Sequence, residues 1–442
     1  MMSTTSTSKA PEDPPTVEAS SQPAAQLPGE SPQPKRVLFI SALAFGQLGL
    51  FIALFAPIMI GMSVKAGELA QSDTELTTIV GNVLGYGAIG AFLGNSIFGR
   101  LSDRSRSRFG MRRPYMISGV AIMVVAFFLI AVASNVWMLA AAWFVAQFGA
   151  NAAYGPFTAT LADQLPEKQY ARVSAVLGIM QNIAIFLATW ISSLLSTNTL
   201  AMFMAPALVG ALAIVMYALV LPDKVQRHGE PEPFRLGVLL RTFWVNPIKH
   251  PDFGFAWLSR LFVITANMLF VTFRFPYVMN RLDVPRADVP GIVSQGVLWY
   301  TISLIISGFA AGWLSDRLGR RKVFVFASSA IFAIGTYLLL HIDTVEQFYL
   351  VEALIGVGYG IYMAIDLALV LQILPNPEDR GKDLGVFNIA NALPSSFAPF
   401  IGAGLLTVAT TAGAPNYDLL LTTAALAALA GACAILPIKK VR

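Results

Sequence analysis

The sequence predicts an all-α membrane protein in which twelve transmembrane helices form two six-helix bundles related by pseudo-symmetry. Of its 442 residues, 56% are hydrophobic and only 12% are charged, whereas about 25% of the residues in a soluble domain are charged. The apolar residues lie in runs of the roughly 20 residues that a helix needs to cross a bilayer. A short polar motif also occurs twice, once in each half of the chain.

The first 34 residues differ from the rest of the chain. They are rich in Ser, Thr, Pro, Gln and Ala and contain almost no large apolar side chains. Such a segment buries too little surface to fold, so we predict a disordered cytoplasmic tail over residues 1–34. Because the tail lacks the apolar core of a signal peptide, we expect the first apolar run to remain in the membrane.

Twelve apolar runs follow the tail. Six lie in residues 35–221 and six in residues 253–442, and a polar cytoplasmic loop over residues 222–252 joins the two sets. The shortest connections follow the third and fifth runs and leave no room for domains outside the membrane. The predicted spans 1 to 12 are Val37–Met62, Leu76–Gly99, Tyr115–Ser134, Val136–Ala162, Val173–Leu195, Asn198–Leu221, Phe253–Asn280, Val289–Leu314, Val323–His341, Glu346–Leu374, Leu384–Thr410 and Tyr417–Pro437.

The basic residues indicate the orientation of the spans. If both termini are cytoplasmic, 25 of the 30 Lys and Arg residues fall in cytoplasmic segments, as the positive-inside rule requires. Lys65, Arg281 and Arg286 would then face the other side. The charges therefore indicate membrane topology and not binding to nucleic acid. We expect a monomeric, multi-pass protein of the inner cell membrane.

The repeated motif follows spans 2 and 8. The string G-x-L-S-D-R begins at Gly99 in the first half and at Gly312 in the second. A motif at the same place in two successive sets of six helices indicates two parallel repeats, which many transporters contain.

In this context the repeated string resembles the signature loop of the major facilitator superfamily, and the resemblance covers Val37–Pro437. It implies the major facilitator fold and transport by alternating access. The stretch S-D-R-S-R-S-R-F-G-M-R-R-P-Y from Ser102 to Tyr115 is also similar to a loop of the sucrose/proton symporters, which belong with the glycoside-type cation symporters. The stretch from Gly155 to Asp163 is similar to another of their motifs, although Thr158 stands where that family has a sugar-contacting arginine.

The two motif loops are candidate cytoplasmic gates. A carboxylate such as that of Asp103 or Asp316 can lie at the positive N-terminus of another helix, and the arginines can pair with acids of the opposite half when the cytoplasmic side closes. The alternative is that the arginines only hold the topology. The candidate gate residues are Asp103, Arg104, Arg108, Arg112, Arg113, Asp163, Asp316, Arg317, Arg320, Arg321, Glu378 and Asp379, with Glu167 as a further acid.

Four ionisable residues lie inside the predicted spans. Span 7 contains Arg260 and Arg274, and span 10 contains Glu352 and Asp366. In each span a polar residue lies midway, so that all three are seven residues apart and stay on nearly one face of a helix. Because the two spans run in opposite directions, we expect Arg260 beside Asp366 at one depth and Arg274 beside Glu352 at another.

An ionisable group inside the membrane is costly and usually faces a cavity. The four residues are therefore candidates for proton coupling. Asp366 is favoured because Glu352 lies nearer the outer surface, where we expect it to be solvated. The alternatives are that each pair is a static lock or that an end residue reaches the interface.

Neutral polar residues supply the candidate substrate site. Gln147, Asn151, Tyr154 and Thr158 follow one face of span 4, which lines the central path with spans 1, 7 and 10 in the superfamily that the chain resembles. Amides and hydroxyls suit a neutral, polyhydroxylated ligand because they both donate and accept hydrogen bonds, although such groups also join helices to one another. The remaining candidates are Gln47, Gln181, Asn182, Asn267, Tyr359, Tyr362, Asn388 and Asn391, with Trp143 and Phe148 as further aromatics for stacking on a sugar ring.

These features favour uptake of a sugar or glycoside by proton symport. A proton-coupled exporter of drugs or metabolites would be expected to have a more apolar cavity, and a sensor that no longer transports would be expected to carry a long cytoplasmic extension. The chain contains no phosphate-binding glycine loop. Its three histidines are scattered, and it has one cysteine, Cys433. We therefore expect no enzyme, metal or other cofactor, and the expected partners are a small solute, protons and lipid.

Overall fold

The computed structural model describes residues 37–223, 249–374, 380–408 and 414–439. Within these ranges, twelve helices are long and apolar enough to cross a membrane. The predicted tail over residues 1–34, most of the predicted loop over residues 222–252, and the gate candidates Glu378 and Asp379 lie outside the described residues. The helices are α1 (Val37–Leu69), α2 (Asp73–Asp103), α3 (Arg113–Ala131), α4 (Val136–Gln164), α5 (Glu167–Leu194), α6 (Thr199–Val220), α7 (Pro251–Arg281), α8 (Val289–Leu318), α9 (Arg321–Leu338), α10 (Val345–Ile373), α11 (Arg380–Thr407) and α12 (Tyr417–Ile435).

The helices confirm the twelve predicted spans, and the largest difference is at α1. This helix was predicted to end at Met62 but continues to Leu69. Lys65 does not end it, because the ammonium group is bound by the Glu68 carboxylate at 2.7 Å and by the Ala131 carbonyl at 3.0 Å. A π-helical turn over Pro57–Gly61 interrupts α1, and there the Met62 N–H donates to the Pro57 carbonyl.

Most helices that begin at one end of the molecule share the same kind of N-terminal cap. We call the end at which α1 and α7 finish the outer end, and the end that carries the G-x-L-S-D-R loops the inner end. Five helices begin at the outer end behind a Ser, Thr or Asn whose side-chain oxygen accepts a hydrogen bond from the N–H group three residues later, which satisfies one of the donors that a helix start leaves unpaired. These capping residues are Ser72, Asn135, Asn198, Thr344 and Asn416.

The two halves repeat the same packing. In the first half α1 packs on α5 and α6, and α4 packs on α2 and α3; in the second half α7 packs on α11 and α12, and α10 packs on α8 and α9. Helices α3 and α6 correspond in the same way to α9 and α12. The repeated motif in the sequence therefore marks a repeat of the whole bundle.

Glycines allow the closest helix approaches within each half. A Cβ added to Gly90 or Gly94 of α2 would lie 2.4 or 2.3 Å from a carbonyl oxygen of α4. In the second half, a Cβ on Gly356 or Gly360 of α10 would lie 2.4 or 2.3 Å from a carbonyl of α8. Small residues that let backbones touch are a usual device of helix packing in membranes.

The two halves meet closely at the outer end. A Cβ on Gly81 of α2 would lie 2.6 Å from the Cβ of Ala403 in α11, and one on Gly85 would lie 2.4 Å from the Phe400 ring. The Tyr86 ring also contacts the Phe400 ring edge to face, with centroids 5.4 Å apart. Gly81 lies near the outer start of α2 and Ala403 near the outer finish of α11, so these contacts close the outer end of the molecule.

Candidate functional site

The predicted inner ion pair is formed between α7 and α10. The Arg260 Nη1 atom lies 2.9 Å from the Asp366 carboxylate, and the two side chains are 11% and 3% exposed. Asp366 is seven residues from the inner end of α10, which places it about 10 Å along the helix from that end. The pair therefore lies inside the bundle and near its inner end.

Helix α11 extends the inner pair into a network. The Arg260 Nε atom donates to the Asn391 side-chain oxygen at 2.9 Å, and the Asn391 amide donates to Asn388 at 3.3 Å. The Arg260 guanidinium also lies over the Phe387 ring, 4.5 Å from its centroid. The arginine is thus held from both sides, by an acid of α10 and by an amide and a ring of α11.

The predicted outer ion pair is formed between the same two helices. The Arg274 Nε atom lies 2.7 Å from the Glu352 carboxylate, and the two side chains are 2% and 0% exposed. Two rings close over the guanidinium, Phe270 at 5.0 Å and Tyr300 at 5.4 Å. A cation between aromatic faces gains electrostatic stabilisation from the rings.

The prediction that Glu352 is solvated is wrong. Its side chain is fully buried, and it lies seven residues from the outer end of α10, just as Asp366 lies seven residues from the inner end. Depth along the helix therefore does not distinguish the two acids. The expected solvation fails because the carboxylate pairs with Arg274, whose guanidinium lies over the Phe270 and Tyr300 rings.

The polar face of α4 is partly satisfied by its own helix. The Asn151 amide donates to the Gln147 carbonyl at 2.9 Å and to its side-chain oxygen at 3.2 Å. The Thr158 hydroxyl donates to the carbonyls of Tyr154 and Gly155. The Asn151 side-chain oxygen, which is an acceptor, takes no part in these contacts.

Tyr154 connects α4 to α1. Its hydroxyl lies beside Gln47, and its ring meets Phe51 edge to face with centroids 5.4 Å apart. The Gln47 side-chain oxygen is buried without a hydrogen-bond partner. A buried unpaired acceptor is costly, so this amide is poised to bind a donor.

Three further predicted substrate residues, Asn267, Tyr359 and Tyr362, lie in the C-terminal half, and two, Gln181 and Asn182, lie on α5. Asn267 accepts a long hydrogen bond from the Tyr300 hydroxyl at 3.4 Å, and Tyr359 packs among Tyr300, Phe332 and Tyr362. Tyr362 is fully buried beside Asp366, which leaves no open face for stacking on a ligand. On α5, the Asn182 amide donates to the Gly178 carbonyl of the same helix, and Gln181 is half-buried.

Of the two further aromatics that were expected to stack on a ligand, Trp143 packs inside the N-terminal half, whereas Phe148 remains partly exposed. Trp143 is 1% exposed and lies against Gly87 of α2 and the Phe127 ring of α3. The Phe148 ring meets Phe98 of α2 edge to face. The prediction missed this because helix periodicity gives the relative directions of side chains but not which face meets a neighbouring helix.

The first motif loop folds as a network within its own half. Arg112 bonds to the Asp103 carboxylate at 2.5 Å, to Asp163 at 2.9 Å and to the Ser102 hydroxyl at 2.6 Å. Burial lowers the pKa of Arg112, but the hydrogen bonds and negative charges of Asp163 and Asp103 outweigh burial and raise it above its usual value. Asp163 was expected to pair across the halves; here it binds an arginine of its own half.

The sequence did not indicate Asp223, an acid that follows α6 and binds the start of α3. Asp223 accepts the N–H groups of Arg112 at 2.8 Å and Arg113 at 2.9 Å, where a helix start favours a negative charge. The Arg113 guanidinium bonds to the Leu221 carbonyl. Gly110 has φ of +108°, and a Cβ there would lie 2.2 Å from the Asp223 carboxylate. Both facts account for a glycine at this position of the stretch from Ser102 to Tyr115.

The second motif loop is more open. Arg321 bonds to Asp316 at 3.2 Å and to the Ala368 carbonyl of α10 at 2.6 Å. Arg317 lies over the Trp313 ring, and Arg108 of the first loop lies over Phe109. Arg104 and Arg320 are exposed on the two loops, and the Glu167 side chain lies outside the described part of the chain.

A family model of transporters matches nearly all of the described chain. The model of the Major Facilitator Superfamily matches residues 37–299 and 290–441. The chain belongs to the Major Facilitator Superfamily. This confirms the superfamily resemblance, while the more specific resemblance to the sucrose/proton symporters is not confirmed by the relatives that were found.

The curated relatives match over short stretches. Multidrug resistance protein 3 of Bacillus subtilis (strain 168) is 33% identical over 109 residues, which are 24% of this chain and 21% of that protein. Putative multidrug resistance protein MdtD of Salmonella typhi is 28% identical over 109 residues, or 25% of this chain and 22% of that protein. The chain thus aligns with about a fifth of the length of each relative.

Solved structures match over the whole fold. A variant of the nucleoside transporter NupG aligns with a TM-score of 0.72 and 14% identity over 91% of this chain and 99% of that one. A bacterial homolog of the human lysosomal transporter Spinster, in an inward-facing and unoccupied conformation, aligns with a TM-score of 0.62 and 13% identity over 91% and 94%. These likenesses establish the major facilitator fold.

Proposed function

We propose that this member of the superfamily is a secondary active transporter of the cell membrane that takes up a small polar solute, a sugar or glycoside, together with protons. Asp366 carries the coupled proton and Arg260 is its switching partner. The observation behind this proposal is the network that joins Asp366 of α10, Arg260 of α7 and Asn391 of α11.

The network supports coupling because one of its helices, α11, also contacts the other half, and the two halves move relative to one another in alternating access. Helix α11 packs against α2 of the other half, so a movement between the halves acts on Asn391 and through it on Arg260. While the guanidinium stays beside Asp366, it favours the ionised carboxylate. When the arginine is drawn away, an unpaired buried charge is costly and the carboxylate takes up a proton.

Neutral polar groups on both halves support this substrate class. Gln47, Gln147 and Asn151 in the first half and Asn388 in the second offer amides, which donate and accept hydrogen bonds as a hydroxyl-rich solute requires. The structural neighbour NupG is a nucleoside transporter, and a nucleoside is also a neutral ligand with sugar hydroxyls. A sugar panel for testing should therefore include nucleosides.

Export of drugs or metabolites in exchange for protons is the second candidate. The names of the curated relatives favour it, although each match covers about a fifth of the relative. The two functions differ in the direction of movement. Purified protein in proteoliposomes, with an imposed proton gradient and a panel of sugars, glycosides, nucleosides and cationic dyes, distinguishes accumulation from expulsion.

The coupling role is tested with Asp366→Asn in the same proteoliposomes. We expect this variant to lose accumulation against a gradient but to retain counterflow exchange, because exchange needs no net proton movement. The matched control is Asp316→Asn, an acid of the exposed inner loop, which should still accumulate substrate.

A double variant separates coupling from a static role. Arg260→Gln with Asp366→Asn removes both charges together and so leaves no unpaired ion. If this neutral pair restored full proton-driven uptake, the charges would be structural and the coupling role would be withdrawn. Loss of both accumulation and counterflow in Asp366→Asn, with a folded protein, would also contradict it.

The orientation is a separate proposal. We infer that both termini and the inner end are cytoplasmic, because 25 of the 30 basic residues then lie on that side. Fusions of each terminus to a reporter that is active only in the periplasm and to one that is active only in the cytoplasm test this. Periplasmic activity at either terminus would refute it.

A further inference from the structure

Arg286 joins the two halves at the outer end. It lies in the short turn between α7 and α8, where the Asp288 N–H donates to the Pro285 carbonyl at 2.8 Å. From this turn its Nη1 atom donates to the Gly67 carbonyl at 2.9 Å and its Nη2 atom to the Val64 carbonyl at 3.0 Å. Both acceptors belong to the last turns of α1, in the opposite half.

The end of α1 suits a cation. The Gly67 carbonyl is one of the last in α1, and the last carbonyls of a helix lack partners within the helix and carry the negative end of its dipole, so a guanidinium placed there is stabilised. The planar guanidinium presents two N–H groups side by side and so binds two carbonyls at once.

Gly67 provides the space for the guanidinium. A Cβ at this position would lie 1.5 Å from the Arg286 Nη2 atom, so no other residue type fits beneath the arginine in this arrangement. The glycine is not required by backbone conformation, because it lies within a regular helical segment, Met62–Leu69.

The end of α1 is held firmly in its own half. Lys65 bonds to the Ala131 carbonyl at the finish of α3, and Glu68 accepts a hydrogen bond from the Thr199 hydroxyl at the start of α6. Arg286 therefore binds a fixed element of one half from a short turn of the other. Separating the halves at the outer end breaks both of its hydrogen bonds.

The geometry points to Arg286 as the latch of the outer gate: its contact with the end of α1 stabilises the closed outer end and is released when the cavity opens there. This role is independent of the solute and of the proton site proposed above. Arg281 offers a matched comparison, because it lies at the same end but donates to the Leu340 carbonyl within its own half.

The test measures how often the outer end opens. In a Cys433→Ser background, Ala403→Cys places a thiol in the closed contact between α11 and Gly81 of α2, where a membrane-impermeant maleimide reacts only after opening. We expect Arg286→Ala to raise the alkylation rate roughly two- to fivefold, the range expected for a cation at an exposed helix C-terminus. Arg281→Ala should leave the rate unchanged.

A second substitution tests the contact from the other side. Gly67→Ala should raise the rate as much as Arg286→Ala, and the double variant should raise it no further, because both remove the same contact. Alanine is a better helix former than glycine, so loss of folding does not explain such a result. Equal rates for Arg286→Ala and Arg281→Ala, or an unchanged rate for Gly67→Ala, would overturn the inference.

Discussion

The two arginine–carboxylate pairs between α7 and α10 have similar chemistry in different surroundings. The outer pair is sealed, with side chains 2% and 0% exposed, and its guanidinium lies between Phe270 and Tyr300. The inner pair keeps slight exposure on Arg260, 11%, and continues into α11 through Asn391. The outer pair is enclosed by aromatic rings, and the inner pair is connected through Asn391 to α11, which packs against α2 of the opposite half.

This difference shows how the same kind of arginine–carboxylate pair can serve two purposes. A sealed pair resists any change of either charge, since each ion depends mainly on the other to replace its lost hydration. A connected pair has an alternative partner for its arginine, so that its contact with the acid can change at lower cost. We therefore propose a structural role for the outer pair and a role in the transport cycle for the inner pair.

The largest expected effect is on stability at the outer pair. Glu352→Gln should lower the free energy of unfolding by about 3–5 kcal/mol, because it leaves Arg274 charged and unpaired in a closed site. Asp366→Asn should cost less, about 1–3 kcal/mol, because Arg260 keeps Asn391 and the Phe387 ring. Thermal unfolding of the purified variants in one detergent gives the comparison.

A paired substitution serves as the control for the outer site. Arg274→Met with Glu352→Leu removes both ions and fills the space with apolar groups, which is often neutral or stabilising in a buried site. This variant should recover most of the stability lost in Glu352→Gln. Equal losses for Glu352→Gln and Asp366→Asn would remove the distinction between the two pairs.

A smaller effect is expected from the amide that connects the inner pair to α11. Asn391→Ala removes the hydrogen bond to the Arg260 Nε atom and should cost about 1 kcal/mol of stability. Its main effect should be on coupling, seen as a lower accumulation ratio with substrate affinity nearly unchanged. Asn388→Ala is the comparison, because Asn388 reaches the arginine only through Asn391. As a proposed substrate-binding residue, Asn388 should affect substrate affinity more than the accumulation ratio; equal effects of the two variants on that ratio would contradict the proposed connection.

The smallest stability effect is expected at the inner surface. Asp316 is 73% exposed in its contact with Arg321, and exposed ion pairs contribute roughly 0–1 kcal/mol. Asp316→Asn should therefore hardly alter unfolding, but as a candidate gate residue it should slow cycling while leaving substrate affinity intact. Transport rates and binding measured on the same preparation test both statements, and lost binding with an unchanged rate would exclude a gate.

The sequence was sufficient for the fold and for the partners of the four ionisable residues inside the predicted spans. Apolar runs and basic loops located the helices, because a helix in lipid must satisfy its backbone internally and be apolar over a known length. Both buried pairs followed from heptad spacing on antiparallel helices, which fixes direction and depth together. Arg260 with Asp366 and Arg274 with Glu352 needed no knowledge of other contacts.

The sequence was not sufficient where a role depends on what encloses a residue. Solvation of Glu352 is set by rings from other helices, and the position of Trp143 is set by a glycine of α2. The partners of Arg112 and Arg286 were missed for the same reason. Asp223 is remote in sequence from Arg112, and the carbonyls of α1 are remote from Arg286. Every residue has a backbone carbonyl, so the sequence does not indicate which carbonyl binds an arginine.

The π-helical turn over Pro57–Gly61 determines which way the end of α1 faces. Such a turn holds about one residue more than an α-helical turn, and one residue corresponds to a rotation of about 100° around the helix. Every side chain beyond it, including those of Lys65 and Glu68, thus owes its direction to a single surplus residue. Deleting one residue there would rotate the end of α1 about the helix axis. The rotation would move Lys65 away from α3 and Gly67 away from Arg286 without changing the residues of that end.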